Sequence, residues 1–250
     1  MHWRRFFVDG LAHASYLVGS TRRGVAAVID PQRDIDRYFQ DAHETGLSIG
    51  HVFLTHLHAD FVAGHMELKD RCNARIWVSK QAGARFPHQG LDDGQIVEVG
   101  DLTVLAIATP GHSPESMCFL VTDTNSGETR LFTGDTLFVG DVGRPDLHGD
   151  ANTIMYAGQL YDSLFHKLLK LDDMVEVYPS HFAGSVCGRA MSGKPSSTIG
   201  FERRFNPALQ HTDREAFIAF VQKDQTPAPP EFAAIRQANL SVQAVLPVEK

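Results

Sequence analysis

The chain has 250 residues, of which 43% are hydrophobic, so it can bury the core of one large domain or two small ones. Its 30 acidic residues outnumber 23 basic ones, giving a formal net charge of −7, which argues against a protein that binds nucleic acid through its overall charge. Because no apolar run is long enough for a membrane span or a signal-peptide core, we expect a cytoplasmic protein without a membrane partner.

The first hundred residues predict strands alternating with helices. Short apolar, β-branched runs bounded by Gly, Pro or Asp predict strands, and apolar residues at helical spacing predict amphipathic helices. The predicted strands lie at residues 6–8, 14–18, 24–30, 49–54 and 74–78, and the helices at about residues 34–46 and 60–71. Asp60 is expected to cap the second helix.

The second part of the chain predicts further strands and two more helices. The predicted elements are a hairpin over residues 95–105, paired strands at 117–122 and 130–133, a long helix from about 154 to 168, a strand at 175–178 and a short helix after 213. A proline cluster at residues 227–230 then predicts an extended tail that begins at about residue 224.

Polar side chains follow the predicted strands at the points where the strands end. Six such residues are His56, His58, Asp60, His112, Asp135 and His181. Residues two apart in an extended chain point the same way, and strand ends at one edge of a sheet can converge on a common point. Because imidazoles and carboxylates bind metal ions, this pattern predicts a metal site.

These motifs resemble, in order and approximate spacing, those of the metallo-β-lactamase superfamily. The matching segments are Thr-His-Leu-His-Ala-Asp60, Pro-Gly-His112, Gly-Asp135 and Pro-Ser-His181. The resemblance covers residues from about 6 to 182. It implies an α/β fold, an αββα sandwich of two mixed β-sheets flanked by helices, with the metal in a groove at one sheet edge.

Longer segments at residues 58–65, 134–146 and 197–206 resemble the sulfur (persulfide) dioxygenases, in particular the catalytic half of bacterial persulfide dioxygenase–rhodanese proteins. This resemblance extends over nearly the whole chain and implies a single domain over residues 1–250 without a rhodanese domain. It also implies one Fe(II) per chain, held by His56, His112 and Asp135. His58, Asp60 and His181 would then orient the ligands and waters around the metal.

Phe61 separates this chain from the binuclear hydrolases of the superfamily, such as glyoxalase II, which carry a histidine directly after the aspartate. A phenyl ring has no lone pair to offer a second metal ion, so Phe61 favours a mononuclear centre. Two alternatives stay open. One is a glyoxalase II-like metal-dependent thioester hydrolase, and the other is a non-catalytic sulfide or metal sensor on the same scaffold.

Two imidazoles and one carboxylate on one face of an octahedral ion leave three positions open, enough for a substrate sulfur and O2 together. The resemblance implies oxidation of a low-molecular-weight thiol persulfide, such as glutathione persulfide, to sulfite and the free thiol in sulfide detoxification. Coenzyme A and bacillithiol are alternative carriers. A homo-oligomer is expected, and any rhodanese partner would be a separate protein.

Arg144 and Arg189 are predicted to bind carboxylates or phosphates of the thiol carrier, with solvated surface charge as the alternative. Cys187 follows His181 closely in sequence. It is either a redox-sensitive or persulfide-accepting thiol or a buried structural cysteine. The three cysteines are far apart and odd in number, so no disulfide framework is expected.

Overall fold

Two mixed β-sheets, each of six strands, form the centre of the computed structural model, which describes residues 1–147, 149–223 and 225–241. The strands of the first sheet are β1 (His2–Val8), β2 (His13–Ser20), β3 (Val25–Ile29), β4 (Ser48–Phe53), β5 (Arg75–Ser79) and β6 (Gln89–Leu91). Those of the second are β7 (Ile96–Val99), β8 (Leu102–Ala108), β9 (Met117–Asp123), β10 (Thr129–Gly134), β11 (Glu176–Pro179) and β12 (Ser197–Thr198). Neighbours in sequence are neighbours within each sheet.

Each sheet combines antiparallel and parallel pairs. Strands β1 to β3 form an antiparallel meander, whereas β3 to β6 are parallel. The second sheet is antiparallel from β7 to β10, with β11 added parallel to β10 and β12 antiparallel to β11. Parallel neighbours require crossover connections, and helices supply most of them.

Helices cover the outer face of each sheet. They are α1 (Asp36–Glu44), α2 (His65–Cys72), α3 (Thr153–His166), α4 (Ile199–Phe205), α5 (Arg214–Val221) and α6 (Phe232–Leu240). Helices α1 and α2 connect the parallel strands of the first sheet, and α3 lies in the connection from β10 to β11. Among the residues that the structure describes, no helix has the length and hydropathy needed to cross a bilayer.

The core has three layers of buried side chains, as an αββα sandwich requires. Strand β2 is buried along its whole length because its alternate side chains face opposite layers. Leu17 packs toward the first helical layer, whereas Tyr16 and Val18 pack between the sheets. In the middle layer the rings of Phe53 and Phe119 meet edge to face, with their centroids 5.1 Å apart. The predicted fold class is confirmed.

Most predicted elements are present, but two expectations differ from the structure. Helix α2 begins at His65 after Gly64, and Asp60 does not cap it. The carboxylate of Asp60 instead lies 2.7 Å from His181. The segment expected to be an extended tail contains helix α6, which packs back against the molecule through the buried residues Asn239 and Leu240. Strands β6 and β12 and helix α4 were not predicted.

Candidate metal centre

The six polar residues predicted at strand ends all lie in loops at one edge of the sandwich. The loop after β4 carries His56, His58 and Asp60, whereas the β8–β9 loop carries His112. Asp135 follows β10, and His181 follows β11. A backbone hydrogen bond from Met117 to Thr55, 2.8 Å long, ties the β4 loop to the second sheet. The two sheets therefore bring the candidate ligands together.

Asp30, which the sequence analysis did not single out, fixes the loop after β4. This buried aspartate ends β3 in a left-handed conformation with φ of 50°. Its carboxylate accepts hydrogen bonds from the Thr55 backbone N–H at 2.8 Å, the Thr55 hydroxyl at 2.7 Å and the Ser180 hydroxyl at 2.7 Å. One side chain thus holds the ends of three strands. Its only sequence signal is an aspartate at the end of an apolar run.

His56, His112 and Asp135 form a cluster in which one ligand atom from each residue lies within 4.8 Å of the others. Oδ2 of Asp135 is 3.8 Å from Nε2 of His56 and 3.5 Å from Nε2 of His112. All three residues are at most 4% exposed. Among the residues that the structure describes, none donates a hydrogen bond to the buried Oδ2 of Asp135, which is costly unless an ion or water completes the site.

Hydrogen bonds leave the Nε2 atoms of both histidines free to bind a metal. Nδ1 of His112 donates to the carbonyl oxygen of Arg144 at 3.0 Å. Nδ1 of His56 lies 3.0 Å from the Thr55 hydroxyl oxygen, whose own proton goes to Asp30, so this ring nitrogen also donates. Each Nε2 therefore keeps its lone pair, in the arrangement typical of metal-binding histidines.

The electrostatics of the cluster also suit a metal ion. Burial lowers the pKa of His112, and burial together with the neighbouring histidines lowers the pKa of His56 well below its usual value. Both rings are thus neutral, as ligation requires. Burial alone would raise the pKa of Asp135, but His181 and the other histidines outweigh it and lower this pKa, so the carboxylate is ionised. These residues fit a metal ion held by two nitrogens and one oxygen.

His181 lies between two carboxylates. Its Nδ1 is 2.7 Å from Oδ1 of Asp135, and its Nε2 is 2.7 Å from Oδ2 of Asp60. Burial opposes a charge on this ring, but the two carboxylates outweigh burial and raise the pKa of His181 well above its usual value. His181 thereby occupies one oxygen of Asp135 and leaves the other facing the two imidazoles.

His58 and Phe61 form the layer behind the cluster. Nε2 of His58 is 3.3 Å from Oδ1 of Asp30, and its ring centroid is 4.1 Å from that of His56. The ring of Phe61 packs on His58 at 4.4 Å and on His13 at 4.0 Å. An apolar ring therefore stands among the imidazoles and offers no ligand atom.

Cys187 lies close to Asp60 and His181. Its sulfur lies within 4.8 Å of ligand atoms of Asp60 and His181. Burial, together with the carboxylates of Asp135 and Asp60, raises the pKa of Cys187 well above its usual value, so the thiol stays protonated. Cys187 is 2% exposed. This burial fits a buried structural cysteine better than a redox-sensitive or persulfide-accepting thiol.

A cleft of about 190 Å³ opens onto the cluster. His56 and His112 form its floor, and the segment that precedes and includes α6 forms the opposite wall. The lining residues on that wall are Ala228, Pro229, Pro230, Phe232, Ala233 and Arg236. The sequence analysis did not connect this part of the chain with the site, because nothing local indicates that it folds back across the strand ends.

Arg144 and Arg189, predicted to bind substrate, do not line the cleft. The guanidinium of Arg144 is 1% exposed and donates to Asp146 and to the carbonyl oxygens of Val186 and Thr226. Arg189 pairs with Asp141 and donates to a backbone carbonyl. The donors of both guanidinium groups therefore contact protein groups, and neither side chain reaches the cleft. The Arg144 carbonyl, not its charge, serves the site by orienting His112.

Comparisons with known proteins identify the family of this chain. The family model of the metallo-beta-lactamase superfamily matches residues 8–181. The crystal structure of ETHE1 from Myxococcus xanthus superposes with a TM-score of 0.83 at 34% identity, covering 96% of this chain and 98% of that one.

Two curated relatives point to different chemistries. Mitochondrial persulfide dioxygenase ETHE1 of Bos taurus is 28% identical over 240 residues, 95% of this chain and 87% of its own length. Hydroxyacylglutathione hydrolase GloC of Haemophilus influenzae is 30% identical over 206 residues, 74% of this chain and 87% of its own length. With its fold, its cluster of ligands and a family match over most of its length, this chain belongs to the metallo-beta-lactamase superfamily of metal-dependent enzymes.

Proposed function

We propose that this chain is a mononuclear non-haem Fe(II) persulfide dioxygenase that oxidises a low-molecular-weight thiol persulfide with O2. The observation that carries the proposal is the cluster of His56, His112 and Asp135 at the floor of a cleft, with Nε2 of each histidine and an unpartnered carboxylate oxygen directed toward one another. The relatives named persulfide dioxygenase support the same chemistry.

Two nitrogens and one oxygen on one face of an ion are the ligand set typical of non-haem Fe(II) oxygenases. A ferrous ion held by these three residues would supply the redox chemistry that zinc lacks. Asp30, through Thr55, and the Arg144 carbonyl hold the two imidazoles in the tautomer that this set requires. No second imidazole follows Asp60, because Phe61 stands there.

The protein residues around the cluster control protons and position. His181 holds a proton between Asp60 and Asp135 and so keeps Oδ1 of Asp135 away from the ligand cluster. The ring of His58 packs against the ring of His56 and helps to hold it in position. The apolar lining from Leu57, Pro229 and Phe232 favours a sulfur over water at the floor of the cleft.

The reaction balances with one water. A persulfide RSSH, O2 and H2O give the thiol RSH and sulfurous acid, which ionises to sulfite. The S–S bond breaks, the terminal sulfur is oxidised and takes up both atoms of O2, and water supplies the third oxygen. O2 is the four-electron acceptor, so no other reductant or oxidant is needed.

The test is metal analysis after anaerobic purification, combined with an oxygen-electrode trace on glutathione persulfide and an assay for sulfite. We expect about one iron per chain and one sulfite formed for each O2 consumed. His112→Ala should lose both the iron and the oxygen uptake. Full iron occupancy with undiminished uptake in this variant would contradict the ligand assignment, and no uptake by the iron-loaded wild type would contradict the function.

The alternative is a glyoxalase II-like thioester hydrolase, favoured by the similarity to GloC of Haemophilus influenzae. Such an enzyme would use a metal-bound hydroxide and consume no oxygen. Cleavage of S-lactoylglutathione by the zinc-loaded protein, without oxygen uptake on the persulfide, would support it. Metal binding with neither activity would support a sensor. A cytoplasmic location, a homo-oligomer and a separate rhodanese partner stay predictions.

A further inference from the structure

Helix α6 presents one basic side chain to the cleft. Phe232, Ala233 and Arg236 lie on the same side of the helix and line the cleft opposite His56 and His112. Arg236 is the only lysine or arginine among the lining residues that the structure describes.

The contacts of Arg236 leave much of its guanidinium unused. Its Nη2 lies 3.3 and 3.4 Å from the two carboxylate oxygens of Glu115, which is fully buried. Its Nε is buried and has no hydrogen-bond partner within the described residues. A guanidinium is a rigid fork of N–H donors, so Glu115 fixes the orientation of this fork through one nitrogen and leaves other donors for a ligand.

Glu115 also connects Arg236 to the loop that bears the histidines. Its Oε1 accepts a hydrogen bond from the Leu57 backbone N–H, 3.3 Å long, between His56 and His58. The arginine is therefore held in a defined position relative to the ligand cluster, not freely rotating on the surface.

The exposed fractions of the lining residues show which of them are buried and which face solvent. His56 and His112 on its floor are 4% and 3% exposed, whereas Ala228 and Pro230 on the far wall are exposed. The Arg236 side chain, 26% exposed, lies between these limits. A ligand whose sulfur reaches the two histidines therefore shares the cleft with the partly exposed Arg236 side chain.

We infer that Arg236 binds an anionic group, a carboxylate or a phosphate, on the thiol that carries the persulfide, and thereby selects anionic carriers. This inference rests on the proposed function for the identity of the ligand. In this inference Arg236, rather than Arg144 or Arg189, is the basic residue that recognises the substrate, because Arg236 lines the cleft and the other two do not.

The test compares persulfides that differ in charge. Glutathione persulfide carries carboxylates, coenzyme A persulfide carries phosphates, and 2-mercaptoethanol persulfide carries neither. The double variant Glu115→Gln/Arg236→Gln removes the cation without leaving a buried, unpaired carboxylate, and the amide oxygen introduced in place of the Glu115 carboxylate can still accept from Leu57. Arg214→Gln is the matched control, since Arg214 pairs with Asp162 outside the cleft.

We expect the double variant to raise KM for one or both anionic persulfides by roughly 10- to 100-fold, the loss typical of one hydrogen-bonded charge pair. The anionic substrate that responds identifies the group recognised. Its kcat, and both constants for the neutral persulfide, should stay within about twofold, and Arg236→Lys should recover part of the loss. Equal changes for charged and neutral substrates, or no change for either anionic one, would overturn the inference.

Calorimetric titration with glutathione and coenzyme A separates this inference from the proposed function, because binding of the thiol product needs no turnover. If the wild type consumed no oxygen but bound one of these thiols at least tenfold more tightly than the folded double variant, the function would fail and the anion site would stand. If oxygen uptake were normal and binding of both thiols unaffected by the substitutions, the anion site would fail alone.

Discussion

Replacing Asn239 by alanine should both destabilise the protein and loosen its metal loop. This residue of α6 is 1% exposed, and its side chain makes three hydrogen bonds to the loop after β4. Nδ2 donates to the carbonyl oxygens of His58 and Phe61, each at 2.8 Å, and Oδ1 accepts from the Ala63 N–H at 2.9 Å. One asparagine thus clamps the segment that carries His58 and Asp60.

The expected size follows from those three bonds. At about 1 kcal/mol each, their loss should lower the free energy of unfolding by about 3 kcal/mol. For a chain of this size that corresponds to a fall of roughly 6–12 °C in Tm. Because the clamp holds ligand-bearing backbone, iron affinity should also fall by roughly 10- to 100-fold, as for other groups that support metal ligands.

Urea unfolding monitored by circular dichroism measures the first effect, and iron release to a competing chelator measures the second. Asn206→Ala is the matched control, because Asn206 is also buried and its side chain makes three hydrogen bonds, to Asp141, Glu202 and Ala208, none of them in the loop after β4. It should lose comparable stability but release iron more slowly than Asn239→Ala. Equal iron release by the two variants, or a stability loss below about 1 kcal/mol for Asn239→Ala, would refute the proposal that Asn239 holds the loop after β4 in place.

Three further outcomes are expected. Asp135→Asn should reduce iron retained after dialysis against a chelator at least tenfold, since the oxygen facing the imidazoles loses its charge; unchanged retention would exclude Asp135 as a ligand. Burial lowers the pKa of His65 from 6.5 to about 4, so stability present above pH 6.5 should be lost as pH falls toward 4, by up to roughly 3 kcal/mol. His65→Leu should remove that part of the pH dependence in urea titrations, and an identical slope would disprove it. In alkylation followed by peptide mapping, half-buried Cys72 should react first, with Cys118 and Cys187 reacting only on unfolding; early labelling of Cys187 would contradict its burial.

Residues adjacent to strand ends could be located from the sequence because their signal is local. An apolar run stops, a tight turn follows, and a histidine or aspartate comes next, as at His56, His112 and Asp135. Strand ends of one sheet meet at one edge, which accounts for His112 and Asp135 of the second sheet, and the packing of the two sheets brings His56 of the first sheet to the same edge. The position of the cluster was therefore predictable from local signals, whereas the fold class followed from the resemblance to the metallo-β-lactamase superfamily.

Residues that act through distant partners were not predictable in this way. Arg144 follows a ligand loop in sequence, yet its guanidinium turns to Asp146 and to a carbonyl 82 residues further along the chain. Arg236, by contrast, is 121 residues from Glu115, and no local pattern marks the pair. The destination of a charged side chain depends on partners that only the folded chain brings near, so the basic residue of the cleft could not be identified from spacing.

Helix α6 follows all the strands of both sheets in the chain. During synthesis the sandwich and its cluster of histidines can therefore assemble while the wall formed by residues 228–236 is still missing. In that interval a metal ion would meet the open face of the ligands without passing through the finished cleft. Docking of α6 would then cover this chelating surface and complete the wall of the cleft, so the ligands would be more accessible to a metal ion before α6 docks than after it.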